Sequence, residues 1–236
     1  MEQLNLFDMM GEQPVEEIDA QKYIIDSIND MQGSYTPYQI FSDWVAMSAI
    51  AIQNACCLNV DEGWKKREAK YLQIASKYSN EQLRTLSNMT GALSMELEKG
   101  MRDVLGDIFM KAGCGSAKTG QFFTPYHLSY LTAQIAYDEK YKDIPEDEEI
   151  LIHEPSSGGG GMMIGIIQTM VEKGINVHKR VKIIAQDLDW NGVYMTYVQL
   201  SLLGIRAIVR QGDSLQDGTF TEDRIFRTPA EMGAII

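Results

Sequence analysis

The sequence predicts an all-helical segment followed by an α/β unit of doubly wound type, and three observations carry that expectation. Residues 17–112 place apolar side chains at a helical period almost without a break. From residue 148 onward, short apolar runs alternate with helical stretches, the pattern of βαβ units around a parallel sheet. Between them lies Gly113-Cys114-Gly115-Ser116, a flexible connection that separates 17–112 from 113–236. The 236 residues, 44% of them hydrophobic, suffice to bury a core and exclude wholesale disorder.

The elements follow in order. Residues 1–16 are acidic and read as a mobile tail, without the basic-then-apolar plan of a secretory leader. Pro37 is placed to open a helix whose apolar positions include Ile40, Phe41, Trp44, Val45, Met47 and Ile52. Asp61 can cap the next helix, through Trp64, Tyr71 and Ile74, with Lys65, Lys66, Arg67 and Lys70 on its other side. Ser79 or Asn80 caps a third over 83–97, which Gly100 ends, and a short fourth spans about 102–111. The Met and aromatic stripes read as bundle core, and the lysine cluster as a solvated face rather than a phosphate-binding surface. In the second half, residues 150–153, 181–185 and 206–209 read as buried strands and 162–173 and 190–203 as helices. The acidic run at 143–149 reads as solvated linker.

Composition narrows the function classes. Twenty-one Lys and Arg against 33 Asp and Glu leave a net charge of -12, unlike the basic coat of a nucleic-acid binder, so DNA contact would need a local patch. Cys56, Cys57 and Cys114 are odd in number and two are adjacent, which offers neither a disulfide framework nor metal-ligand spacing. No apolar run approaches the roughly 18 residues needed to span a bilayer. The expectation is a cytoplasmic protein with no metal and no membrane contact.

The strongest local signal is Glu154-Pro155-Ser156-Ser157-Gly158-Gly159-Gly160-Gly161, between strand and helix. Consecutive glycines cost backbone entropy, which is consistent with close approach of a ligand to the main chain or with tight packing of helix on strand. A loop entering a helix N-terminus presents free N–H groups and suits a nucleotide or a carboxylate. It lacks the Gly-Lys-Ser/Thr of an NTPase loop and a clean G-x-G-x-x-G, and Glu154 would repel a phosphate but welcome a cation. Asp187 follows the second strand, where a carboxylate can bond ribose hydroxyls, and Asp213 follows the third. Ligands of open α/β sheets bind outside the carboxyl ends of the strands, so loop and acids would converge. Each acid alone reads equally as a cap or turn residue.

These motifs resemble the adenine-N6 DNA methyltransferases, of the kind found as type I restriction-modification methylation subunits and their shorter phage and prophage relatives. Gly120-Gln121-Phe122-Phe123-Thr124-Pro125 is similar to the family's G-Q-[FY]-[FY]-T-P segment, and the glycine loop resembles its [DN]-P-x-C-G-S-G loop. Asp187 falls at its ribose-binding acid, and Gly212-Asp213-Ser214-Leu215 resembles its G-D-[ST]-L segment. The resemblance implies a shortened Rossmann-like methyltransferase domain behind an all-α domain, with S-adenosyl-L-methionine as cofactor. It implies Gly120, Gln121, Phe122, Phe123, Thr124 and Glu154 at the methionine end. Ser156, Gly158 and Gly160 would form the loop, Asp187 and Leu188 the ribose side, and Asp213 and Ser214 the adenine side. Phe122 and Phe123 would otherwise read as core packing.

At the family's catalytic [DN]-P-P-[FYW], whose first residues accept hydrogen bonds from the target amine and whose ring stacks on the flipped base, this chain has Thr228-Pro229-Ala230-Glu231. A hydroxyl is the weaker acceptor and nothing remains to stack. The family's sheet continues beyond its fourth strand, so residue 236 implies a truncated sheet whose edge a partner subunit, a second copy or the helical half would cover. Two functions are thus expected: adenine-N6 methyl transfer to DNA, or a catalytically impaired module that regulates or completes a partner enzyme. A dinucleotide-binding protein is a third, against which the Gly120 to Pro125 segment speaks. Near the start, Gln3-Leu4-Asn5-Leu6-Phe7 resembles the peptide by which bacterial DNA-processing proteins dock on the replication sliding clamp. Leu6 and Phe7 would fill an apolar pocket while Gln3 satisfies its polar rim, unless the tail packs on its own domain.

Overall fold

The computed structural model describes residues 19–33, 35–115, 123–216 and 220–233. Five helices come first: α1 (Ala20–Asp30), α2 (Pro37–Cys56), α3 (Glu62–Ala75), α4 (Asn80–Glu98) and α5 (Val104–Lys111). Their starts follow from side-chain caps. Thr36 with Gln39 and Ser79 with Gln82 form reciprocal capping boxes, and Pro37 occupies the first turn of α2, where its missing N–H costs nothing. Asp19, Asp61 and Asp103 cap α1, α3 and α5. Helix α6 (Tyr126–Ala136) is additional to the sequence expectation. It escapes a periodicity argument because only the small residues Ser129 and Ala133 are buried, while Leu128, Leu131 and Ile135 are exposed. The buried face is small so that α6 can lie close on α7 (Gly161–Glu172): a Cβ built on Gly165 would sit 3.1 Å from the Ser129 carbonyl oxygen.

Four strands form one sheet in the order β1-β2-β3-β4: β1 (Ile150–Glu154), β2 (Val181–Asp187), β3 (Arg206–Gln211) and β4 (Ile225–Arg227). The first three run parallel, joined by α7 with the short α8 (Val177–Arg180) and then by α9 (Trp190–Leu202). The expectation of a wholly parallel sheet is corrected at β4, which pairs antiparallel with β3, Val209 opposite Phe226. Along β2 and β3, Val181, Ile183, Ala185, Ala207 and Val209 are buried, whereas Lys182, Ile184, Arg206 and Ile208 are half-buried. The described helices therefore cover one face of the sheet more completely than the other. Helix α9 packs on α2 and β3 and is buried all round from Asn191 to Ser201. A single apolar cluster joins Phe41, Trp44 and Phe109 of the helical half to Ile183, Tyr197 and Val209.

Side chains of the helical half hold β4 in its reversed position. Gln53 of α2 accepts from the Arg227 N–H at 2.6 Å, and Arg67 of α3 donates to the Glu222 carbonyl at 3.1 Å. Beyond the strand, the Thr228 hydroxyl donates to the Ile205 carbonyl at 2.7 Å and accepts from the Ala207 N–H at 2.9 Å, with Thr228 fully buried. Among the described residues no helix is long and apolar enough to cross a membrane. Thr228→Val keeps the shape but strands a buried N–H and a carbonyl. It should lower unfolding free energy by about 1–3 kcal/mol in urea titration.

Candidate cofactor site

The glycine loop leaves β1 and turns under the end of β2. Gly158 and Gly160 adopt left-handed backbone at φ +51° and +95°, which side chains other than glycine rarely enter. Three contacts pin it. The Gly158 N–H donates to Asp187 Oδ2 at 2.7 Å, the Thr196 hydroxyl donates to the Gly158 carbonyl at 3.0 Å, and Gln199 Nε2 donates to the Gly159 carbonyl at 2.8 Å. Thr196 and Gln199 are three residues apart, so they share a face of α9. Gln199, fully buried, also donates to Asp103 Oδ1 at 2.8 Å, and its Oε1 accepts from the Leu105 N–H at 3.0 Å. One amide thus joins the start of α5, the glycine loop and α9.

Above the loop opens a cleft of about 310 Å³, within the range of small-molecule sites. Phe123 forms one wall, its ring 3.5 Å from a Cβ position on Gly158 and edge-to-face with Phe109 at 4.9 Å. Asp103 and Asp187 line the cleft, and no Lys or Arg does so among the described residues. The hydroxyls of Ser129 and Ser157 also lie in its lining, buried and without a hydrogen-bond partner among the described residues. Buried polar groups are ordinarily satisfied, so these two await a ligand or water. A larger groove of about 650 Å³ between α1 and α4 carries Asp30, Glu81 and Lys77, with Gly33 at its edge but no orphan hydroxyl among the described residues, and its polarity reads as solvated surface.

The structure brings Phe123, Thr124, Ser156, Gly158 and Asp187 together around this cleft, with Gly160 directly beneath, against Thr196. Other expected residues stand elsewhere. Glu154 is not in the lining; its carboxylate accepts from the Ser156 N–H at 3.0 Å and shapes the turn. Asp213 folds its carboxylate onto the Leu215 N–H and Gln216, and Leu188 and Ser214 are exposed on the rim. The Gly212 N–H donates to the Asp187 carbonyl at 2.9 Å, which keeps that rim beside the cleft. Thr228 and Pro229, expected at a catalytic strand end, are buried beside the start of β3. Thr228 lies level with Ala207 and thus with Ile183, four residues before Asp187, about 13 Å toward the wrong end of the sheet. That corrects the expectation, because the reversed direction of β4 carries the segment away from the carboxyl ends. Gly120, Gln121 and Phe122, and Gln3, Leu4, Leu6 and Phe7, lie outside the described residues.

The sequence pattern of the N-6 DNA methylase family matches residues 101–231. The chain belongs to the N-6 DNA methylase family. No curated protein matches it. Among solved structures, it is similar to a Listeria monocytogenes protein described as a putative class I S-adenosylmethionine-dependent methyltransferase, at 14% identity and a TM-score of 0.45. That alignment covers 84% of this chain, which spans 55% of the Listeria one.

The cofactor of this methylase family is S-adenosyl-L-methionine, and the cleft fits it on the chain's own terms. Two carboxylates without a lining cation suit a ligand bearing a sulfonium and an ammonium, the orphan serines suit its donors and acceptors, and the glycines leave the room it needs. A Cβ on Gly192 would sit 2.9 Å from Asp187 Cγ, so that approach is already tight.

Asp103 was absent from the sequence expectation because its position, before a short helix, reads simply as a cap. Burial pushes its carboxyl up to about 6, against hydrogen bonds from Gln199 and Gly106 that pull it down. A carboxyl raised in the folded state binds more protons there than in the unfolded chain, so its contribution to stability is lost as pH rises from about 4 to about 6. Compared with native protein, Asp103→Asn should remove that loss, worth roughly 2–4 kcal/mol by the size of the shift, when unfolding is followed across the window. Gln199→Leu should destabilise by roughly 2–4 kcal/mol in the same measurement, because it removes the Gln199 partner of the Leu105 N–H and the Gly159 carbonyl and takes one donor from Asp103 at once.

Proposed function

We propose that this chain binds S-adenosyl-L-methionine in the cleft between the glycine loop and Phe123, and serves the adenine-N6 methylation of DNA. The observation that carries the reading is the lining: two carboxylates, two orphan hydroxyls and glycine backbone, with no Lys or Arg among its described residues to receive a phosphate. When bound, the cofactor supplies an electrophilic methyl group on a positively charged sulfur. The chain's part is to hold and orient. Asp187 accepts from Gly158 and Asp189 N–H groups, and each of its oxygens keeps a lone pair for a ribose hydroxyl. The rim of Leu188, Asp213 and Ser214 would border the adenine, and Thr124, following the Gly120 to Phe122 segment, the methionine end. Phe123 closes one side against water and Asp103 adds negative charge near the cationic ligand.

The burial of Thr228 favours a second reading, in which the chain holds the cofactor and a partner polypeptide supplies the group that accepts the adenine amine. A calorimetric titration with S-adenosylmethionine, followed by an assay of labelled methyl transfer to unmethylated DNA, separates them. Binding with transfer by the chain alone supports the first reading, and binding without transfer the second. No binding at millimolar ligand would falsify both. Asp187→Ala should weaken cofactor binding by about 1–3 kcal/mol in the same titration.

A further inference from the structure

Asp103 is a carboxylate that its structural duties do not explain. As the cap of α5 it needs one oxygen, and Oδ1 alone takes both the Gly106 N–H at 2.8 Å and Gln199 Nε2 at 2.8 Å. Oδ2 receives no hydrogen bond from the described residues, although the side chain is only 3% exposed. Serine or asparagine would cap the helix without the cost of burying a charge. Among the described residues no cation pairs with it. Arg102 pairs with Glu96, and Lys111 pairs with Asp107 and reaches Gln21.

Oδ2 sits between Gly106 of its own helix and Gly161 of the cleft, against the Cβ position of each. Asp103 lines both the main cleft and a smaller chamber of about 180 Å³ that lies on the far side of Phe123 and Thr124. A Cβ built on Gly161 would fall 2.9 Å from Oδ2 and 3.4 Å from the unpartnered Ser129 hydroxyl, so glycine keeps open a point shared by two acceptors. A neutral ligand atom there would leave the carboxylate's desolvation uncompensated. An ammonium would offset it and has three N–H groups to share between Asp103 and Ser129.

We propose that Asp103, with Ser129, receives the α-ammonium of the cofactor's amino-acid end, and that this makes cofactor affinity depend on pH. The proposal rests on the cofactor reading above. An acid pushed up to about 6 in the free protein is held ionised by a bound ammonium, so binding releases a proton near that pH and weakens as pH falls through it. Among the described residues the other ionisable groups facing Asp103 are Asp107 and, across the smaller chamber, Lys111 on its own helix, Tyr126 on α6 and Asp187 across the cleft, whereas α7 and α9 present Gly161, Met162 and Gln199.

Two ligands test this. S-adenosylhomocysteine carries the amino-acid end, and 5′-methylthioadenosine keeps the nucleoside and thioether without it. By calorimetry, Asp103→Asn should weaken the first about tenfold or more near pH 7 and leave the second within about twofold, the amide still capping α5. Native affinity for S-adenosylhomocysteine should fall between about pH 7 and about pH 5, and the variant's should stay flat. Gly161→Ala should act in the same ligand-selective way. Equal weakening of both ligands, or no change in either, would overturn the assignment and leave Asp103 a structural cap. Native protein that binds neither ligand would overturn the cofactor reading itself.

Discussion

The buried amide of Gln199 joins parts of the chain that nothing local would bring together. Its nitrogen bonds Asp103 and the Gly159 carbonyl, and its oxygen takes the Leu105 N–H, so the start of α5, the turn after β1 and α9 share one side chain. Without it the Leu105 N–H and the Gly159 carbonyl would lose their bond to Gln199, and Asp103 would keep only Gly106 as a donor to Oδ1. The cleft exists because of this constraint. The helical half supplies the Asp103 carboxylate, the α/β half supplies the floor and the Phe123 wall, and these hydrogen bonds add direction to the apolar cluster that joins the two.

Charge in this protein is best considered by location. A net -12 argues against a basic DNA-binding coat, yet the cleft shows that acid excess also has a local use. Asp103 and Asp187 line it, and among the described residues no Lys or Arg does. Such a surface repels phosphate and attracts a sulfonium or an ammonium, so the arrangement that disfavours one nucleotide-like ligand favours another. Elsewhere, acids serve structure: Glu154 and Asp213 bind their own turns, and Glu231 pairs with Lys182 and Arg206.

The reversed β4 shows how a motif comparison can be right about family and wrong about position. Residues 224–231 fall within the family match, and Thr228 occupies the place of an amine acceptor in sequence. In space Gln53 and Arg67 draw the segment against α2 and α3, and the Thr228 hydroxyl donates to Ile205 and accepts from Ala207. Buried there, the hydroxyl is out of reach of a base.

Much of the architecture was legible in the residues themselves. Capping at Thr36, Asp61 and Ser79, the helical periods and the apolar runs of β1 to β3 are local properties, and local energetics reproduce them. The glycine loop and Asp187 were legible too, because left-handed turns demand glycine and parallel strands bring their carboxyl ends to one side. Helix α6 was not, since its packing face is made of small residues, nor was the direction of β4, which depends on side chains more than 150 positions away. Asp103 is the clearest case. By sequence it is a helix cap, and only the tertiary structure, by removing water from one of its oxygens and opening a cleft before the other, turns that cap into a candidate ligand group.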